Sequence, residues 1–458
     1  MDPSGVVDVS RIIEEQKLSR FLVGLVVISW IITFFDGLDA NLVSFAAPYF
    51  RSEFQLTTIK TGNIFGMHQL GTLIGGFLLA YLGDIVGRRP AVIFATAAFG
   101  LLTMCFYFAA GYWSLLVLRL LDGIPLGGML PLAWALNIEY APKRYRATLV
   151  TIIMIGYSMG TALGGPIANG LIPQFGWKSV FLFGGSAAIL SSLVLLARLP
   201  ESVRFLAGKQ QRPQQIAAIL RRVAPHLPLP AQPRFVVSDE PGHALNFRPA
   251  LLFQGQLRRI TPLIWIAYIA SSFAVFFIVN WTPLVFESLG YTREQAANAS
   301  ALNSVMGALG GALLMRFTDT RGAIAITVMP VACTALLLLA GSVTIGPTSF
   351  LALVAMIGFF LIGGHFGMHS ICGLFYPTTY RGNGAGWATS VAKVGSIGGP
   401  LVGGWVLASS LPVRNIFAVL AICPLVFALC IYALGKLHTS ILGREAVPWT
   451  ELSKKSTA

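Results

Sequence analysis

The stretch "FFDGLDANL", residues 34–42, sets two carboxylates, Asp36 and Asp39, inside an apolar run. Three residues turn a helix by about 300°, so both acids share one face, and Gly37 between them leaves room for a neighbouring helix or a ligand. Two carboxylates close together and away from water cannot both ionise cheaply, so at least one is expected to carry a proton at neutral pH. The plainer alternative, strongest for Asp39, is a simple bond to a neighbouring helix. "RLLDG" repeats the three-residue spacing with Arg119 and Asp122. That pair either closes as an intrahelical salt bridge or leaves the guanidinium half-compensated, free to attract an anion or to swap acids. Lys393 is the lysine in the middle of an apolar segment, with Gly386, Thr389 and Ser390 on its face. An unpaired ammonium in lipid is expensive, so Lys393 is expected to face a cavity and to pair with a carboxylate. His365 and His369 in "GGHFGMHS" stand four apart, a metal-ligand spacing, yet no Cys, Asp or Glu nearby completes a set. They read as donors to an anion or as structural residues, and no metal is expected. Nor does the chain show the nucleophile and base of an enzyme, so no catalytic residues are expected.

The elements that must position these groups follow from composition. The chain has 458 residues, of which 55% are hydrophobic and 11% charged, a balance that soluble domains of this size do not reach. A bilayer core requires about 20 apolar residues per helix, and hydropathy breaks mark twelve segments, beginning near residues 21, 58, 90, 112, 147, 177, 259, 294, 322, 347, 382 and 413. The reading is an all-α integral membrane protein, because backbone hydrogen bonds in lipid must close within each segment. The first segment is too long for a signal-peptide core and has no cleavage pattern behind it, so it is expected to be retained. The five cysteines fall in or beside apolar segments and read as free packing residues. A net charge of +14 could point to nucleic acid. Its placement says otherwise: Lys and Arg crowd the termini and the even-numbered loops, while few, such as Arg51, Lys60 and Lys178, fall in the others. That bias puts both termini in the cytoplasm and leaves no nucleic-acid partner to invoke.

Five regions follow: a tail over 1–20, six helices over 21–198, a Pro-rich basic linker over 199–258, six helices over 259–435, and a tail over 436–458. Within the linker, residues 213–223 fit a short amphipathic helix on the cytoplasmic surface. The two halves repeat. A constant shift of 235 residues, the separation of Asp84 from Asp319, also pairs Pro48 with Pro283, Gly75 with Gly310, Gly87 with Gly322, Arg146 with Arg381 and Gly160 with Gly395. One offset holding through loops and helices marks a duplication, and paired six-helix repeats are a transporter architecture with the ligand site between halves.

"AYLGDIVGRRP", residues 80–90, with Asp84, Gly87, Arg88 and Arg89, resembles the loop signature of the major facilitator superfamily, although Ala80 and Ile85 depart from its first Gly and first Arg. "MRFTDTRGA", with Asp319, is the degenerate second copy. There Asp84 is expected to accept bonds from helix N-termini and cations in one state and to release them in the other, with Arg381 part of the same gate; the plainer reading is a loop rich in arginine for topology. More narrowly, "DGLD", "EYAPKRYRAT", "NWTPLVF" and "FYPTTYRGNGAGWATSVAKVGSIGGP" resemble the aromatic acid:proton symporters over nearly the whole chain. The resemblance implies that Asp36, Asp39 and Arg119 serve uptake and that Lys393 stands where relatives carry arginine. An ammonium is a point charge and cannot grip a carboxylate bidentately, so the substitution bears on the substrate.

The reading drawn from this is a multi-pass monomer of the bacterial inner membrane that imports a small aromatic carboxylate with protons. The proton gradient drives it, and no cofactor is required. Asp36 and Asp39 are assigned the proton, Arg119 the coupling, with Asp122 and the helix-end Glu139 as further candidates. Lys393, His365 and His369 are assigned the anion. Asn280, Trp281 and Tyr268, with Phe35 and Trp387, would form a polar and aromatic wall. Glu139 is expected to be exposed. Rivals are a sugar or polyol carrier, prompted by "PESVRFL" at residues 200–206, an aliphatic dicarboxylate carrier, left open by Lys393 in place of arginine beside two histidines, and a transport-derived sensor. No Gly-rich nucleotide loop ending in Lys-Ser/Thr suggests an ATP-driven pump.

Overall fold

A computed structural model describes residues 6–16, 19–209, 212–224, 233–237, 249–321, 323–342, 347–376, 381–409 and 411–442. The described chain is almost wholly helical. Strand β1 (Val6–Asp8) and α1 (Val9–Glu15) precede the first bundle: α2 (Arg20–Glu53), α3 (Thr58–Val86), α4 (Arg88–Cys105), α5 (Tyr112–Tyr140), α6 (Lys143–Phe175) and α7 (Lys178–Arg198). Then come α8 (Val203–Gly208), α9 (Pro213–Val223) and strand β2 (Arg234–Val236). The second bundle holds α10 (Leu257–Ser288), α11 (Arg293–Arg321), α12 (Ala323–Ser342), α13 (Pro347–Phe375), α14 (Arg381–Ala408), α15 (Val413–Leu420) and α16 (Ile422–Leu442). Counting the broken α15–α16 as one, this gives twelve long helical elements, each starting within four residues of the hydropathy break that announced it.

Nine helices among the described residues are long and apolar enough to cross a membrane. Helix starts follow capping chemistry, as where Thr57 accepts the Lys60 amide before α3 and Ser19 the Leu22 amide before α2. The duplication reappears as packing. In the first bundle α3 lies on α5 and α2 on α6; in the second α11 lies on α13 and α10 on α14. Glycines set these approaches, because a Cβ at Gly75 would strike the Ile124 backbone and one at its repeat mate Gly310 the Phe359 backbone. Gly160 meets Phe34 and Gly395 meets Ile269 in the same way. Each contacted residue also obeys the 235-residue shift, so the repeat extends to helix-helix contacts in which small residues bring backbones together.

The first described residues, 6–16, and the end of α16 lie at one end of the bundle, here the terminal side; the opposite end is the far side. On the far side the two halves share one core, in which Phe45, Phe50 and Phe65 join Phe277, Trp281 and Ile416. On the terminal side the core splits: one cluster belongs to the first bundle with α1, α8 and α9, another to the second bundle alone. The segment 213–223 is a helix as expected, but α9 buries Ile216, Ile219, Leu220 and Val223 against the protein. Residues 6–16 likewise fold onto the first bundle, where β1 pairs in parallel with β2, Val6 opposite Arg234.

Candidate functional site

Helices α2, α3 and α5 bring four ionisable side chains together in the middle of the first bundle. Arg119 Nη1 donates to Asp122 Oδ2 at 2.6 Å and to Asp39 Oδ2 at 3.1 Å, and His68 Nδ1 lies 3.2 Å from Asp122 Oδ1. All four are buried, with exposures of 2% for Asp39 and Arg119, 0% for Asp122 and 6% for His68. Both readings of Arg119 are thus partly realised. It closes the intrahelical pair and also reaches across to α2, with the Phe106 ring 5.8 Å from its guanidinium. The geometry is fixed by glycine: Cβ atoms on Gly71 and Gly123 would strike the Leu120 and His68 carbonyls, so α3 and α5 touch where His68 and Asp122 meet. Asp39 Oδ1 and Arg119 Nε are buried without a hydrogen-bond partner among the described residues. Ligand atoms of Asp39, His68 and Asp122 lie within 4.8 Å of one another, a spacing that would hold a cation. The Arg119 guanidinium, bonded to both carboxylates, is itself the cation of this cluster.

One turn along α3 from His68, Thr72 accepts a hydrogen bond at 3.1 Å from Lys393 Nζ on α14, a bond that crosses between the halves. Lys393 also lies within electrostatic reach of the half-buried Asp36, without closing an ion pair with it. So the ammonium lies at the interface between the halves, where its hydrogen-bond partner is a threonine hydroxyl and not the carboxylate expected from the sequence. Gly37 does what its size allows: the α6 backbone at Tyr157 packs directly on it, and Tyr157 stands beside Asp36 and Asp39.

The remaining candidates scatter. His365 contacts Ser271 through Nδ1 at 3.0 Å and meets the Tyr268 ring edge-on at 6.4 Å. The His369 side chain lies outside the described residues. Tyr268 is 1% exposed, its hydroxyl near the Cys372 thiol, and Trp281 is fully buried. Trp281 lines a small apolar cavity with Phe277, Thr282 and Asn303. It also joins the far-side core, edge-on to Phe65 at 5.5 Å and donating to the Pro400 carbonyl at 3.2 Å. Asn280 Nδ2 donates to the Phe276 carbonyl of its own helix at 2.7 Å. Trp387 stacks on Trp265 with centroids 6.4 Å apart, and Phe35 is half-buried against Phe34.

The loop signature is built. Asp84 is exposed and pairs with Arg88 at 3.1 Å, and in this structure it is not the residue that receives the helix N-terminus. Glu201, just after α7, does so: its Oε1 accepts the backbone amides of Arg88 and Arg89 at 3.0 and 3.1 Å and of Ser202 at 2.8 Å. A carboxylate suits this site because the exposed amides and macrodipole of α4 favour negative charge. Gly87 makes the approach possible, with φ of 108° and a would-be Cβ running into that carboxylate. One correction concerns Glu139, which is not exposed as expected. Its side chain is 17% exposed and tied to Arg88 Nε at 3.2 Å and to the Ser202 hydroxyl, because α8 covers it. Arg89 donates to the Leu196 carbonyl at 2.8 Å. The side chains of Asp319 and Arg381 lie outside the described residues.

Sequence reasoning left His68 unassigned and missed Glu201 and Thr72. The signals were a lone polar pair in an apolar helix and a carboxylate in "PESVRFL", neither of which names its partner.

Comparison with known proteins agrees with this frame. A sequence model described as Major Facilitator Superfamily matches residues 29–392. The chain is 31% identical over 442 residues to the gallate transporter of Pseudomonas putida, covering 96% of this chain and 97% of that one. It is 31% identical to the 4-hydroxybenzoate transporter of the same species, over 87% and 88% of the two chains, and 26% identical to the benzoate transport protein of Acinetobacter baylyi, over 89% and 88%. A crystal structure of a bacterial homolog of the human lysosomal transporter Spinster superposes with a TM-score of 0.68 at 14% identity, covering 94% of this chain and all of that one.

Proposed function

The chain belongs to the Major Facilitator Superfamily, a transporter and not an enzyme family, and from that premise we propose that it is a proton symporter importing a small aromatic carboxylate across a bacterial inner membrane. The observation carrying this reading is Lys393, an ammonium on the second bundle hydrogen-bonded to Thr72 on the first and set against Asp36. A substrate carboxylate arriving between the bundles competes with Asp36 for that ammonium. Once Lys393 turns to the substrate, the Asp36 carboxylate is left without its cation, and an unpaired charge at membrane depth is costly. Taking a proton neutralises it. Anion binding and proton binding thereby favour each other, which is the coupling free energy a symporter requires. Relatives that carry gallate, 4-hydroxybenzoate and benzoate support the substrate class.

With both termini in the cytoplasm, as the distribution of basic residues suggests, the shared far-side core closes the periplasmic entrance, and the split core on the terminal side belongs to an inward-facing state. Rocking of the bundles about the Lys393 level then alternates access. No cofactor takes part, and the unit is the monomer.

The test is uptake by reconstituted protein of labelled aromatic mono- and dicarboxylates, with a sugar as control, under an imposed pH gradient. Gradient-driven accumulation of an aromatic monocarboxylate is expected, falling at least tenfold in Asp36→Asn and in Lys393→Ala. Accumulation of the sugar alone, or of the acid without regard to the gradient, refutes the reading.

A further inference from the structure

We infer that the buried Asp122–His68 pair holds a second transported proton, with His68 as the positioning residue that keeps it in place. This rests on the symport reading and adds to the Asp36 site.

The argument begins with charge. Among the described residues, three carboxylates of the first bundle, Asp36, Asp39 and Asp122, stand against two cations, Arg119 of the same bundle and Lys393 reaching in from the second. Facing His68 are Asp39 from α2, Arg119 and Asp122 from α5, and Lys393 from α14. Lys393 answers Asp36, and Arg119 can answer only one of its two acids. One negative charge is left over in a water-poor interior even before substrate arrives, and a proton on a carboxylate removes it.

Geometry selects Asp122. Its two oxygens are divided: Oδ2 is bound to Arg119 and Oδ1 faces His68 Nδ1 at 3.2 Å. A neutral imidazole suits both states of that acid. When the carboxylate is ionised, Nδ1–H donates to Oδ1; when it is protonated, the acid's O–H donates to a bare Nδ1 and the ring hydrogen sits on Nε2. Loading therefore reverses this hydrogen bond without losing it: the Nδ1–H bond breaks as an O–H bond forms on Oδ1, an Nε2–H bond forms on the far side of the ring, and the one net proton comes from and returns to water. With Asp122 neutral, Arg119 keeps Asp39, and the cluster carries no net charge. Because α3 and α5 belong to one bundle and touch through Gly71 and Gly123, the pair keeps its geometry while the halves rock, whereas Lys393–Thr72 and Lys393–Asp36 span the moving interface.

Two proton sites and one monovalent anion give a stoichiometry of two, so each turnover carries one net positive charge. In proteoliposomes with labelled 4-hydroxybenzoate, reversal potentials should return two protons per anion for the full chain and one for His68→Asn, which keeps a hydrogen-bonding amide near the Nδ1 position but cannot exchange tautomers. A parent ratio of one, or a ratio of two retained in His68→Asn, overturns the inference. Histidine-selective 15N NMR of the ligand-free protein decides it independently of substrate, His68 being assigned by its missing signal in the variant. The ring is expected to switch from the Nδ1–H to the Nε2–H tautomer as pH falls. A single tautomer over the whole range in which the protein stays monodisperse overturns the proposal. A parent that moves no aromatic carboxylate refutes the preceding section, and the ring measurement still stands.

Discussion

Arg119 is the residue on which the others depend. It holds two carboxylates from two helices with one nitrogen, so removing either acid leaves a buried guanidinium with one partner. Truncating one member of such a buried set typically costs about 3–5 kcal/mol. Asp122→Ala is therefore expected to lower the apparent melting temperature of the detergent-purified protein markedly. Asp122→Asn, which keeps an acceptor for Arg119, should lower it less, and equal losses would mean that charge rather than hydrogen bonding holds Arg119. Most of this site was legible in the sequence as residue types. Asp36, Asp39, Arg119, Asp122 and Lys393 announce themselves because ionisable groups in apolar segments are rare and expensive. Their partners were not legible. Nothing in a linear chain says that Arg119 divides its bonds between Asp39 and Asp122, or that Lys393 reaches a threonine 321 positions away. The aromatic wall was the least legible part, because an aromatic residue is as much at home in a core as beside a ligand, and Trp281 both packs in a core and lines a small cavity. Tyr268 and Trp281 are core.

At the scale of the element, helix existence came from hydropathy and helix spacing from glycine. Contacts at Gly71, Gly75, Gly123 and Gly127 let α3 and α5 approach until backbones touch. The expected consequence is position-dependent. Gly75→Leu places a side chain into the Ile124 backbone, whereas Gly170 has nothing within 4 Å of its would-be Cβ. Gly75→Leu should abolish monodisperse expression or cut thermostability strongly, and Gly170→Leu should leave both near the parent, as read by fluorescence-detected size exclusion. If the two variants behave alike, helix spacing is not set by these glycines. The loop between α3 and α4 shows the limit of motif reading. The signature located the loop, but the carboxylate at the α4 N-terminus comes from Glu201, 113 residues beyond Arg88. Sequence separation hides such a partner because any acid that folds to the helix end meets the same electrostatic demand.

For the whole molecule, the decisive feature is a core shared by the halves on the far side and divided on the terminal side. Tyr49 of the first bundle lies under the Arg293 guanidinium of the second, 4.2 Å from ring centroid to cation. Cysteines placed at both positions in a background lacking the five native free cysteines should be joined by a short bifunctional reagent. The joined protein is expected to lose uptake and to keep substrate binding from the terminal side, measured by scintillation proximity; uptake surviving complete crosslinking would show that this contact need not open. The sequence alone determined the solvent, the number of spans, the duplication and the identity of most charged groups within them, because each follows from local composition or from self-similarity along the chain. Only the tertiary structure decided which acid meets which base, at which end of the bundle the halves share a core and which aromatics are buried in it. Those facts depend on distances between residues far apart in sequence, set by how closely glycine lets the helices approach.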